Sequence, residues 1–152
     1  IWGVEGEVPD EDVLLPFGKA RIEREGADIS IVSWSAQLHV ASDAAENLQK
    51  KGISAEVIDL RTLWPWDKEA VFSSVEKTGR LLITHESVAV GGFGAEIAAT
   101  VSEHMFKALK HPVRRCAAPR VPISYAPPLE DMIRVTANNI VDVATTMMDN
   151  GN

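Results

Sequence analysis

Hydrophobic positions along this chain change period several times. Four short, nearly continuous apolar runs, at residues 29–35, 56–60, 81–84 and 113–117, read as strands buried on both faces. Their starts lie 27, 25 and 32 residues apart, close to the length of a strand-helix-strand unit, which predicts a parallel sheet. Between the first two runs, Leu38, Ala41, Ala44, Ala45 and Leu48 recur at helical spacing, with Asp43, Glu46, Asn47 and Lys50 opposite and Gly52 as a stop. A second helix is announced by Pro65 and capped by Asp67; it turns Val71 and Val75 inward and ends at Thr78 and Gly79. The spacing of Ile97, Val101, Met105 and Leu109 predicts a third over 94–109, and Thr136 caps a fourth that buries Ile140, Val141, Ala144 and Met147. At 18–24, Ala20 and Ile22 alternate with Lys19, Arg21 and Glu23, the pattern of an edge strand. The proline-rich stretch 119–128 is expected to be irregular. The alternation as a whole predicts an α/β domain.

Composition narrows the class. With 152 residues, 45% hydrophobic and 24% charged, the chain suits one globular domain and excludes a disordered tail or a disulfide scaffold. Its apolar runs are far shorter than the roughly 18 residues a membrane span needs, and no signal peptide is recognisable, so a membrane partner is not expected. A net charge of −7 argues against nucleic acid. The single cysteine, Cys116, excludes an internal disulfide and suggests a reducing compartment, a cytoplasm or an organelle matrix. Residues 1–28 hold three basic and eight acidic residues, so most of the excess charge sits at the start. Residues 1–17 therefore read as an acidic lead-in from a preceding domain, and residues 18–150 as the α/β domain.

Candidate chemistry is sparse. His85 and Glu86 end a predicted central strand, and Gly91, Gly92, Phe93 and Gly94 lead into a helix, the edge at which open α/β sheets hold ligands. The glycine spacing fits neither dinucleotide nor phosphate-loop patterns, so close backbone packing competes with anion binding as its explanation. His85 and Glu86 point to opposite faces of a strand and form no coupled acid-base pair. His39, His104 and His111 are scattered, as surface or helix-end residues are. Cys116, beside Arg115, reads as an inert buried thiol on a central or near-central strand. Trp64 and Trp66 flank Pro65 in a loop that leaves a strand, where two readings stand level: an interface anchor, or a cap on the core. Lys107, Lys110, Arg114, Arg115 and Arg120 form a basic run without an acid, either a solvated face or a surface for an acidic partner.

The stretches PFGKARIEREGADISIVSWS, GISAEVIDLRTLWPWD, KTGRLLITHESVAVGGFGAEIAATVSE and APRVPISYAPPLED, in this order, resemble the C-terminal domain of the β subunit of thiamine diphosphate-dependent 2-oxo acid dehydrogenases. The likeness covers nearly all of residues 4–149. It implies the transketolase C-terminal-domain fold, a three-layer α/β/α arrangement with a five-stranded, mostly parallel sheet and one antiparallel edge strand. It also implies that thiamine diphosphate and magnesium belong to other parts of the parent enzyme. The Gly-Asp-Gly motif of that site is absent here, so no catalytic, cofactor-binding or metal-binding residue is carried over. The implied role is assembly: contacts with a second β subunit and with α subunits in a heterotetramer, and docking of the lipoyl acyltransferase component. By the same resemblance Trp64, Trp66, Asp67, His85, Glu86, Gly91, Gly92 and Phe93 are interface candidates. The His-Glu pair resembles branched-chain enzymes and Ser-Tyr-Ala-Pro-Pro-Leu-Glu-Asp resembles pyruvate or acetoin types, so the 2-oxo acid stays open. Near Lys110 and His111 this chain is basic where the family's docking surface is often acidic. The rival function is a stand-alone anion- or nucleotide-binding module built on the turn from Gly91 to Gly94.

Overall fold

A computed structural model describes residues 5–7 and 9–149; residues 1–4 and 8 of the predicted lead-in, and residue 150 of the predicted domain, lie outside the described residues. Ten elements follow one another: β1 (Arg21–Arg24), β2 (Ile29–Ser33), α1 (Ala36–Lys50), β3 (Ala55–Asp59), α2 (Lys68–Thr78), β4 (Leu81–Val88), α3 (Phe93–Met105), β5 (Arg114–Ala118), α4 (Pro127–Asp131) and α5 (Ala137–Asp149). They build one five-stranded sheet in the order β1-β3-β2-β4-β5. The pairs β2–β3, β2–β4 and β4–β5 are parallel, and β1 runs antiparallel along β3 with Arg21 opposite Asp59. This is the five-stranded, mostly parallel α/β/α sandwich with one antiparallel edge strand.

Two apolar layers cover the sheet. On one face Ile29, Ile31, Val57 and Leu82 pack under Leu38, Ala41, Ala44, Ala45 and Leu48 of α1 and Ile140, Val141, Ala144 and Met147 of α5. On the other, Val32, Ile58, Leu81 and Ile83 meet Val71 and Val75 of α2 and Ile97 and Val101 of α3. Every residue of β2 is buried, as its place between two parallel neighbours requires. The helix ends follow local chemistry. Asp67 Oδ1 accepts the Ala70 amide at 3.1 Å to cap α2, which stops at Gly79 in the left-handed region. Thr136 and Asn139 cap α5 reciprocally, Thr136 N donating to Asn139 Oδ1 at 2.9 Å while Asn139 N donates to Thr136 Oγ1 at 3.3 Å.

Three expectations need correction. Cys116 lies on β5, the edge strand opposite β1, not at or near the centre; it is buried all the same because it belongs to the layer that includes α5. Pro127 and Pro128 are not irregular, since they form the first turn of α4, where a missing amide hydrogen costs nothing. Finally, β4 runs to Val88, four residues beyond its predicted end, because β5 pairs with it that far.

One charge is buried in the sheet. Glu56 on β3 is 2% exposed and takes an ion pair from Lys77 of α2, which also reaches Glu25 at 3.2 Å. Burial pushes the Glu56 carboxyl up, but hydrogen bonds from Lys77 and Ser74 outweigh it and hold the group below its ordinary 4.5. Replacing Lys77 with Ala leaves that carboxylate without its partner and is expected to cost about 1–3 kcal/mol at neutral pH. Stability from a carboxyl whose pKa is lowered on folding is present above the ordinary pKa and lost as pH falls through the lowered one. In urea titrations the gap between wild type and Lys77→Ala should therefore narrow below pH 4.5.

Candidate functional site

The carboxyl ends of the parallel strands gather all the interface candidates. Trp64, Trp66 and Asp67 follow β3, His85 and Glu86 close β4, and Gly91, Gly92 and Phe93 lead into α3. Their side chains then part company. Trp64 is 77% exposed, Glu86 and Gly91 are exposed, and Gly92 and Phe93 are half-buried. Trp66, Asp67 and His85 are buried within the chain.

His85 fills the point where the chain leaves β2 and β4 toward opposite faces of the sheet, the crevice in which such folds commonly bind ligands. Trp34, just past β2, stacks on the imidazole with ring centroids 5.2 Å apart and planes at 18°, and Phe93 meets Trp34 edge-on at 6.1 Å. From the other side α3 comes so close that a Cβ on Gly94 would stand 2.4 Å from His85 Nε2, and one on Gly92 would stand 2.4 Å from the Val88 carbonyl oxygen and 2.8 Å from His85 Cε1. The glycines thus make room for a ring and a carbonyl, and packing explains them without a bound anion. Around the ring, Ser33 Oγ donates to the Thr84 carbonyl at 3.1 Å and Gln37 Nε2 to Thr84 Oγ1 at 3.2 Å. His85 Nδ1 pairs with Ser87 Oγ at 2.9 Å, while Nε2, pressed against Gly94, has no partner. Burial holds the imidazole below its ordinary 6.5; hydrogen bonding with Ser87 pushes the other way and the nearby Arg115 guanidinium adds to the lowering. The imidazole is fully buried, with Trp34 stacked on one face.

The Trp64 turn splits the two readings of its tryptophans. Trp66 caps the core, edge-on to Phe72 at 6.4 Å and with the Lys68 ammonium 5.7 Å from its ring centre. The Trp64–Pro65 peptide bond is cis, and Trp64 stands in solvent. Asp67 does a second task besides capping α2: its Oδ2 accepts the Ala20 amide at 3.0 Å. Together with the Gly18 amide, which donates to Thr62 Oγ1 at 2.9 Å, this clamps the approach to β1 onto the β3–α2 turn.

The remaining candidates stay apart. His39 and His104 are exposed, and His104 stacks on Phe72 at the last turn of α3. Burial pushes the Cys116 thiol up to about 11, which makes it inert at neutral pH. The basic run does not share one face: Lys110 lies over Gly79 at the amino end of the sheet, while Arg114 and Arg115 alternate along β5. Among the described residues no group of His, Cys, Asp and Glu could hold a metal ion, and no helix is long and apolar enough to cross a membrane. Trp34, Ser33 and Gln37 were missed by sequence reasoning. The available signal was a tryptophan placed directly after the first of the apolar runs.

Two outcomes follow from the packing of His85. Gly94→Ala drives a methyl into a ring pinned by Trp34 and should cost about 1–3 kcal/mol in a urea titration. In combination with His85→Ala the cost should shrink, since the clash has been removed. The pH dependence has a definite sign: a histidine whose pKa is lowered on folding binds its proton more readily in the unfolded chain, so stability falls as pH drops below 6.5. Thermal melts between pH 7 and pH 5 should show a steeper loss for the wild type than for His85→Gln.

Comparison with known proteins agrees with this architecture. Residues 18–140 match the family described as transketolase, C-terminal domain. The chain is 47% identical over 136 residues to the 2-oxoisovalerate dehydrogenase subunit beta 2, mitochondrial, of Arabidopsis thaliana, a match that covers 90% of this chain and 37% of that protein. It is 45% identical to the mitochondrial pyruvate dehydrogenase E1 component subunit beta of Dictyostelium discoideum, covering 89% and 38%, and 40% identical to the subunit beta of acetoin:2,6-dichlorophenolindophenol oxidoreductase of Cupriavidus necator, covering 99% and 45%. The chain thus spans less than half the length of these relatives. A solved structure titled split gene transketolase, inactive beta4 tetramer, superposes with a TM-score of 0.80 at 26% identity, covering 97% of this chain and 48% of that one. By the family match over most of its residues, this chain belongs to the transketolase C-terminal-domain family, and along nearly its whole length it is similar to the β subunits just named.

Proposed function

We propose that this chain is the C-terminal assembly domain of the β subunit of a 2-oxo acid dehydrogenase. The parent enzyme would decarboxylate a 2-oxo acid oxidatively and pass the acyl group to lipoyl. The domain itself would contribute contacts with a second β subunit and with α subunits, and docking for the lipoyl acyltransferase component. One observation carries the non-catalytic part of the reading: the groups best suited to chemistry, His85 and Cys116, are buried, whereas the exposed candidates Trp64, Glu86 and Gly91 are suited to contact.

The residues here do not fit thiamine diphosphate with magnesium. The described residues offer no cluster of metal-ligating side chains, and the helix start that would face a diphosphate is filled by His85. This supports the reading that the cofactor sits in other parts of the parent enzyme. Relatives named for 2-oxoisovalerate, pyruvate and acetoin lie within a narrow band of identity to this chain, as expected of a domain that does not touch the substrate. Mitochondrial and bacterial proteins are both among them, which supports a mitochondrial matrix or bacterial cytoplasm as the compartment.

Exchanging residues 18–149 in the intact enzyme for the matching domain of the Arabidopsis relative tests the reading. Assembly should survive, by sedimentation, and the preference among 2-oxo acids should stay unchanged. A swap that carries the donor's 2-oxo acid preference with it would overturn the non-catalytic role.

A further inference from the structure

The two sides of the His85 ring are anchored very differently. Trp34 follows the central strand directly, and that strand end is fixed: Ser33 pairs with Asp59 of β3, and its carbonyl accepts the Leu60 amide at 3.0 Å. The β4–α3 turn, residues 86–93, has looser footing. Glu86, Ser87, Val90 and Gly91 are exposed, and the β4–β5 register breaks between His85 and Val88. The turn is fastened by Ala89, whose amide donates to the Ala118 carbonyl at 3.1 Å and whose carbonyl accepts from the Arg115 guanidinium, and by the hydrogen bond that Ser87 Oγ shares with His85 Nδ1. His85 is thus the wedge between a rigid floor and a lightly held flap, with Gly92 and Gly94 pressed on its edge.

A neutral imidazole fits this place and an imidazolium does not. With Nδ1 engaged by Ser87, Nε2 is left without a partner. A proton turns both nitrogens into donors and puts a full charge into a fully buried ring that has no acceptor for Nε2. The elements packed on the ring do not compensate for it. From β5 the facing charged group is Arg115, of the same sign. The amino end of α3 brings the backbone of Gly92 and Gly94 and the positive end of the helix dipole, while its Glu96 is exposed and accepts from Thr100. Trp34 is uncharged; the attraction of a cation to its ring is smaller than the cost of burying an unpaired charge. On β4 itself, Ile83 is apolar and Glu86 is exposed on the opposite face of the strand, near Arg134. A protonated ring therefore gains most by reaching water, and of its two neighbours the turn is the one free to yield.

We propose that His85 is an acid-sensitive latch: protonation of its imidazole releases residues 86–93 from the stack on Trp34 and opens the carboxyl end of β4 while the rest of the sheet stays folded. Glu86, Gly91 and Phe93 belong to this turn, so contacts made through them would weaken in acid.

Hydrogen exchange of the intact polypeptide, read by mass spectrometry at pH 7 and pH 5 with rates corrected for the intrinsic effect of pH, tests the latch. One proton coupled to opening raises exchange by up to about tenfold per pH unit below the ordinary imidazole value. Peptides spanning 86–95 should lose protection by about tenfold, and those of β2 and α5 by less than about twofold. Unchanged protection at 86–95 overturns the proposal. A uniform loss across all peptides does so too, since acid would then open the whole domain. His85→Gln should abolish the pH dependence, with His85→Phe, which keeps a ring on Trp34, taking its place if a melt at pH 7 shows the first variant unfolded. A loss of protection that persists in the folded variant assigns the proton to another group and overturns the latch. In the wild type, deuterium exchange at the His85 Cε1 position should titrate below 6.5, and a midpoint at or above that value is equally fatal. These readouts follow the chain itself rather than assembly or turnover, so their outcome is separate from that of the assembly reading.

Discussion

A strand buried along its whole length needs apolar cover on both faces, and β2 imposes that need on everything around it. Parallel neighbours on either side, β3 and β4, must be reached by crossovers, and right-handed crossovers from a central strand toward opposite edges put their helices on opposite faces. So α1 and α5 cover one layer and α2 and α3 the other. The two edges then solve a different problem. On one, β1 is short and alternates charges; on the other, β5 carries Arg114 and Arg115 toward solvent. Both devices discourage pairing with a further strand.

The same topology explains how the central crevice comes to be filled. Diverging crossovers open a gap above β2 and β4, and this chain closes it with an aromatic ring on an imidazole, held from the far side by a helix that only glycine allows so near. The closure has a cost, an Nε2 with no partner, and its return is a rigid junction between the β4–α3 turn and the core.

Sequence alone determined the architecture to within a few residues. Period changes located every strand and four of the five helices, and the inward residues of α1 and α5 are those the spacing selects, because burial in a layered sheet reads directly onto periods of two and 3.6. It also determined the family, since the order of several short motifs is a one-dimensional property. Three matters were left to the tertiary structure. Trp64 and Trp66 are indistinguishable in a sequence, and only the fold turns one outward and folds the other over Phe72. Gly92 and Gly94 gain their meaning from His85, which belongs to another element. The exposure of Val90, Ile123 and Tyr125 is likewise invisible along the chain, because it depends on which segments meet, and proximity through space is what a linear pattern does not encode.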